Sequence, residues 1–480
     1  MSFATRLLTA AALIAAPAVA ADEVIAIERI EADRAANVET ADAIWRLAEL
    51  GYKETQSSQL LQDRLEAAGF VIRGGVADVP TAFVADFSTG DGPTIGIMGE
   101  FDALPGFSQA AEPEKKELAN VDAGHACGHH LFGTASASAA IAVKDWLVET
   151  GTPGTVRFFG TPAEEGGAGK VYMVREGLFD DVDVALHWHP GSGNSADMAT
   201  SNSNKSGKFR FYGQSAHAAS APEQGRSALD GVEAMNMMAN MMREHMPQES
   251  RMHYVITAGG RAPNVVPDFA EAFYYVRNPD AEVVRSSFER LVDVANGAAL
   301  GTGTRMEYEV IHGAMPLLPN ETLQTLVHAK MTEVGGVNYD AAEQAFASRI
   351  YPTLAMAETR DMADAMSDAV AIDPLSENHG AGSTDVGDVS WAVPTAGFRT
   401  ATWVPGTPAH SWQAVAAGGM SIGHKGMQNA AKILALTAVE LYQRPDLIAE
   451  AKAEFIRRQP EGYEYRALLG DRMPPLDYRD

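Results

Sequence analysis

Gly124-His125-Ala126-Cys127-Gly128-His129-His130 holds the only cysteine of the chain. With no second thiol, Cys127 cannot close an internal disulfide. Set among imidazoles in a Gly-rich turn, it reads as a metal ligand. Two further polar pieces follow, Glu164-Glu165 and His187-Trp188-His189. Each stands where an apolar run gives out. Residues 94–98 read as a strand ending in Gly99-Glu100-Phe101-Asp102. Residues 155–159 end in Gly160-Thr161-Pro162-Ala163-Glu164-Glu165, and residues 182–186 end at His187. A small-residue-rich helix is expected over 134–147. Strand alternating with helix marks a layered α/β sheet, and in such sheets ligands bind beyond the carboxyl ends of the strands.

Working outward, residues 1–20 carry one cation, Arg6, then an apolar run that ends Ala18-Val19-Ala20. This is the pattern of a cleaved signal peptide, so the chain is expected to be exported, and periplasmic in a Gram-negative source. No later stretch is long and apolar enough for a membrane span. The formal charge of -26 disfavours nucleic acid and anionic membrane as partners. The length exceeds one hydrophobic core. The order of elements changes near Lys205: strands over 208–212, 252–257, 270–276 and 305–311 enclose helices over 226–246 and 281–298. That βαββαβ order is the ferredoxin-like unit. A methionine stripe, Met235, Met238, Met241 and Met242, reads as core or subunit-interface packing. After about residue 315 α/β character returns, with His410 near a Gly-rich segment and a closing helix over about 426–442. The expected organisation is therefore a catalytic domain in two parts, 21–204 and 316–480, split by an inserted lid over 205–315.

Thiolate with imidazole suits a borderline-soft ion such as zinc, with manganese as the alternative. Adjacent carboxylates in the turn between Gly160-Thr161-Pro162 and Gly166-Gly167 point in different directions. One can bind metal while the other takes a proton from water. His187 and His189, two apart, share one side of an extended segment, and either can be the ligand. His217, in Ser215-Ala216-His217-Ala218-Ala219, can stabilise an oxyanion. Two rival readings are a cysteine hydrolase built on Cys127 and an exported metal- or peptide-binding protein with a dead site. The surplus of carboxylate and imidazole ligands opposes the first, and Glu164 opposes the second, since a pure binder needs no second carboxylate there.

Glu100-Phe101-Asp102-Ala103-Leu104-Pro105-Gly106, the Cys127 stretch, the Glu-Glu pair, the His217 segment and Gly260-Arg261-Ala262-Pro263-Asn264-Val265-Val266-Pro267 occur in one order. Together they resemble the aminoacylase / glutamate carboxypeptidase family of two-metal peptidases, in its amidohydrolase branch, over essentially the whole chain after residue 20. The resemblance implies a two- or three-layer mixed-sheet zinc-peptidase catalytic domain with an inserted ferredoxin-like lid and dimerisation domain. It implies two divalent metal ions, zinc or manganese. Cys127 would bridge them, with His129, Glu165, His189 (or His187) and His410 as the other ligands. It implies Glu164 as general base and Asp102 as the residue orienting a ligand histidine. His217 would reach the scissile carbonyl from the partner of a homodimer, and Asn264 and Arg277 would hold the substrate's carboxylate. The implied reaction is amide hydrolysis of N-acyl or N-aroyl amino acids or small dipeptides, aminobenzoyl-glutamate first, with a hippurate-type deacylase as the alternative. A second, related subunit is a further implied partner. Glu100, where other branches have a ligand histidine, and His130 depart from the family pattern.

Overall fold

The computed structural model describes residues 21–380 and 382–479, so the expected signal peptide lies outside the described residues. Along the chain come β1 (Val71–Gly74), β2 (Phe83–Ser88), β3 (Thr94–Gly99) and helix α1 (His129–Thr150), then β4 (Thr155–Gly160) and β5 (Val184–Gly191). The insertion follows as β6 (Ser203–Tyr212), α2 (Ala228–Arg243), β7 (Arg251–Ala258), β8 (Phe269–Asn278), α3 (Ala281–Thr302) and β9 (Arg305–Ala314). The chain then returns with β10 (Thr395–Ala401) and α4 (Ser421–Gln443).

The main sheet has the order β1-β2-β4-β3-β5-β10. It is parallel from β4 to β10 and antiparallel at the β1-β2 edge. Alternate residues of its inner strands enter opposite cores, as the two-residue period of a strand requires. Ile97, Phe158 and Leu186 face one core and Met98, Phe159 and Ala185 the other. The result is three layers. α1 is apolar or small on every side, and its stretch from Ala135 to Ala142 is buried. Such a helix must be enclosed, and it lies between the sheet and α4.

Strands β6 to β9 form a second sheet, all antiparallel, in the order β7-β8-β6-β9. α2 and α3 cover it around Phe209, Phe211, Tyr274, Phe288 and Leu291. The methionine stripe divides. Met235 belongs to this core and Met242 is buried, while Met238 and Met241 are exposed together with Met237. A segment after residue 460 ties the two units together: Leu468 joins the lid core and its neighbour Leu469 the catalytic core. Among the described residues no helix is long and apolar enough to cross a membrane.

Candidate metal centre

Gly128 makes the cluster possible. Its φ of +79° is left-handed, and a Cβ there would lie 2.7 Å from Pro190 Cβ. Only glycine combines that conformation with that approach. The close contact brings the Cys127 turn against the end of β5, where Cys127 Sγ lies 3.3 Å from His189 Nε2. His189 Nδ1 is 2.7 Å from the Pro190 carbonyl. A proton on Nδ1 donates there and leaves the Nε2 lone pair toward the thiol. His129 opens α1, with Nδ1 2.9 Å from Asp102 Oδ1. Its Nε2 lies 3.0 Å from Glu100 Oε2, yet both atoms are buried without a hydrogen-bond partner. His410, at a left-handed φ of +57°, donates its backbone N–H to Ala126 and sets Nε2 3.0 Å from Glu165 Oε1. Besides Glu100/His129/Glu164, the described residues form two donor triads, Cys127/His129/His189 and Cys127/Glu165/His410, each with its donor atoms within 4.8 Å of one another. They share one sulfur.

The turn carrying Glu164 and Glu165 is strained and braced. Ala163 and Ala168 have φ of +59° and +61°, conformations that cost side-chain-bearing residues on the order of 1 kcal/mol or more and persist only when the surroundings over-determine them. Here the supports come from four directions. Glu54 Oε1 accepts from Ala163 N at 2.8 Å, and Asp102 Oδ2 accepts from Glu165 N at 2.9 Å. Tyr52 donates its hydroxyl to the Gly167 carbonyl at 2.7 Å. Tyr478, at 3.1 Å, and Arg479 both donate to the Glu165 carbonyl. Asp102 thus positions two donor residues at once.

Behind the cluster, Lys170 Nζ bridges Glu100 Oε1 and Asp385 Oδ1 at 2.6 Å each, all three fully buried. This network surrounds Glu164 with acids. Burial first, then the Glu100, Glu165 and Asp385 charges, push its carboxyl well above the usual range. Burial alone would lower His129, but the anions of Cys127, Glu100 and Asp102 outweigh it and raise the imidazole well above its ordinary value. Hydrogen bonds with Cys127 and Glu165 push His410 up to about 10. His189 is lowered by burial and by Arg399, and burial takes His187 down to about 3. The anionic surroundings that raise His129 and His410 are those that attract a cation, and His189 stays neutral. One thiol, three imidazoles and a carboxylate, with unpartnered Nε2 and Oε2 atoms beside them, fit borderline-soft divalent ions.

Seven of the residues singled out in the sequence meet here: Asp102, Cys127, His129, Glu164, Glu165, His189 and His410. His187 and His189 lie inside β5, not beyond its end, because pairing with β10 continues to Gly191. Both line the cavity, but the His187 ring lies over Gly397, where a Cβ would come within 2.0 Å of Nε2, and His187 is absent from both triads. The lid residues stand apart. His217 and Asn264 are exposed neighbours, bridged through Val265 and joined by Ala218 N–H to the Asn264 carbonyl at 3.0 Å. They lie beyond the end of the sheet where Tyr212 pairs with Phe269, whereas Arg277 pairs with Asn204 at the other end. Eight residues of strand separate the two ends, roughly 26 Å. Glu54, Tyr52, Lys170, Tyr478 and Arg479 carried no local signal in the sequence.

The cavity at the cluster has a volume of about 490 Å³, the size of a small-molecule site. Apolar Phe132, Leu317, Leu318 and Phe398 line it beside the donors.

Buried neutral histidines around this region predict acid sensitivity. Burial pushes His125 and His312 each down to about 4 from an ordinary 6.5. Between those values the unfolded chain binds protons that the folded chain does not, so stability falls as pH drops from 6.5 to 4. Each contributes on the order of 3 kcal/mol over that window. Urea denaturation followed across the window is expected to show a falling midpoint, with a shallower fall in His312→Gln; a flat midpoint would contradict the burial argument.

The profile of peptidase family M20/M25/M40 matches residues 96–435. The chain is 40% identical over 449 residues to one of the subunits of the p-aminobenzoyl-glutamate hydrolase of Escherichia coli (strain K12), covering 89% of this chain and 93% of that one. It is 29% identical over 431 residues to the Xaa-Arg dipeptidase of Mus musculus, covering 86% and 87%. Among solved structures, a dinuclear metal-binding peptidase of Bacillus subtilis shares the fold with a TM-score of 0.57 at 18% identity, over 86% of this chain and 99% of that one. The matched region starts in β3, just before Glu100 and Asp102, ends inside α4 and so spans every donor of the cluster: the chain belongs to peptidase family M20/M25/M40 and is a hydrolase.

Proposed function

We propose that this hydrolase is a two-metal amidohydrolase that cleaves N-aroyl or N-acyl amino acids and small dipeptides with a free carboxylate, aminobenzoyl-glutamate first. The observation that carries the reading is the pair of donor triads sharing Cys127 Sγ, with Glu164 beside them. Cys127, His129 and His189 would hold one ion, and Cys127, Glu165 and His410 the other. Bound ions of this kind polarise an amide carbonyl and make a water more acidic. The chain does the rest. Asp102 Oδ1 accepts a hydrogen bond from His129 Nδ1–H and so presents the Nε2 lone pair to the cluster, while Oδ2 fixes the Glu165 backbone. The Glu164 carboxylate accepts a proton from the attacking water and returns it to the leaving nitrogen, so the amide C–N bond breaks to give a carboxylic acid and an amine. The acids around Glu164 strengthen its hold on that proton between the two transfers. Phe132, Leu317 and Leu318 give the cavity an apolar wall.

His217 and Asn264 do not line the cavity at the cluster, which favours their arrival from a second copy of this chain through the lid. A related second subunit would serve the same end. The export signal in residues 1–20 places the enzyme outside the cytoplasm in this reading, and periplasmic in a Gram-negative cell. The test is metal analysis of the purified protein together with product release from aminobenzoyl-glutamate, hippurate and a dipeptide panel that includes Xaa-Arg. About two divalent ions per chain and fastest release from aminobenzoyl-glutamate are expected. Faster release from hippurate would assign the deacylase, and no release from any substrate by the fully loaded protein would end the reading.

A further inference from the structure

The cavity wall is acidic, with Glu100, Glu164, Glu165 and Asp197, and among the described residues Arg399 is the only lysine or arginine that lines it. Arg399 lies on β10 in register with His189 on β5. Its stem passes over Gly191, where a Cβ would sit 3.5 Å from Arg399 Cβ, and Nη1 lies 3.3 Å from His189 Nδ1. That nitrogen already meets the Pro190 carbonyl at 2.7 Å, and Nη1 reaches the same carbonyl only at 3.5 Å. No carboxylate pairs with Arg399 among the described residues. Most of its donor fork is therefore uncommitted at the cavity mouth. Ser383 Oγ, which is buried without a hydrogen-bond partner, lines the same cavity. A planar fork of free N–H donors recognises a carboxylate in two-point fashion. The charge of the chain agrees: a net charge of -26 repels anionic substrates, and a guanidinium beside the donors offsets that field inside the cleft. Arg277, whose Nε is buried and unpartnered under the lid, does not line this cavity.

We propose that Arg399 binds a carboxylate of the substrate and sets the enzyme's selectivity for anionic amides. This rests on the amidohydrolase reading above. The test compares wild type, Arg399→Met and Arg399→Lys on aminobenzoyl-glutamate and on its two analogues in which the α- or the γ-carboxylate is a carboxamide. Arg399→Met is expected to raise KM for the parent by about 10- to 100-fold, with kcat within about twofold. Its metal content is expected to match wild type, and Arg399→Lys to fall between. One analogue should be cleaved alike by wild type and Arg399→Met, which identifies the carboxylate Arg399 holds. Equal losses on all three substrates, an unchanged KM, or a loss of bound metal from disturbed His189 would each overturn the proposal. If loaded wild type cleaves none of the three, the amidohydrolase reading falls, and calorimetric titration with glutamate decides Arg399 separately. Equal binding to wild type and Arg399→Met overturns it, and binding weakened tenfold or more supports it.

Discussion

Glu164→Gln is expected to lower kcat by about 10³-fold while leaving the fold and the metal content intact. The amide has the size and shape of the carboxylate but cannot carry a proton between water and leaving nitrogen. The braces on the turn act on the backbones of Ala163, Glu165 and Gly167, so the substitution leaves the positions of Glu165 and His410 unchanged. Glu164 is half-buried among Glu100, Glu165 and Asp385, and removing one acid relieves repulsion. Thermal stability should therefore hold or rise. Steady-state kinetics with metal analysis of the same sample decide the matter; wild-type turnover would remove Glu164 from the mechanism. The same variant tests the shared lid. Mixed dimers of Glu164→Gln and His217→Ala contain one active centre with an intact Glu164 and a His217 supplied by the other subunit. Recovery of activity is expected on mixing, and confirmed heterodimers without activity would refute the arrangement.

Cys127→Ser is expected to strip the protein of metal and activity together. Sγ is the single donor common to both triads, so one substitution weakens two sites, whereas loss of His410 or His189 weakens one. A serine hydroxyl stays protonated near neutral pH and is a poor ligand. Removing residues that only orient ligands costs 10- to 100-fold in metal affinity, so loss of a shared ligand should cost at least about 100-fold. Metal content after dialysis against a weak chelator, with activity measured as ions are added back, reads the effect. Normal stoichiometry in Cys127→Ser would show that the thiol is not shared.

The layered sheet and the βαββαβ insertion were legible because their signals are local: a two-residue period in the strands, a small-residue helix, a reversal of element order near Lys205. The ligand types were legible because they cluster in short stretches at strand ends. The end of β5 misled, since Pro190 and Gly191 look like terminators, yet the β10 ladder holds the strand to Gly191. Glu100 looked like a departure from pattern until Lys170 and Asp385 appeared around it. Lys170 stands in the first turn of the short helix Gly169–Arg175, with a partner 215 residues away, and nothing in the neighbouring sequence marks it. Arg399 was silent for the same reason. An arginine on a strand acquires meaning only when the surrounding cavity proves to be acidic.

The hydrogen bond from Tyr478 to the Glu165 carbonyl joins residues 313 positions apart. Closing so long a stretch is slow, and domains generally fold in the order in which they leave the ribosome. The left-handed Ala163 and Ala168 carry a strain that these braces help to offset. The acid turn thus depends on the far end of the chain: two of its braces, Tyr478 and Arg479, follow every strand of the sheet and of the lid in sequence. Chains lacking only Tyr478 and Arg479 should keep both cores and hydrolyse poorly, which makes activity a stricter reporter of this docked segment than stability.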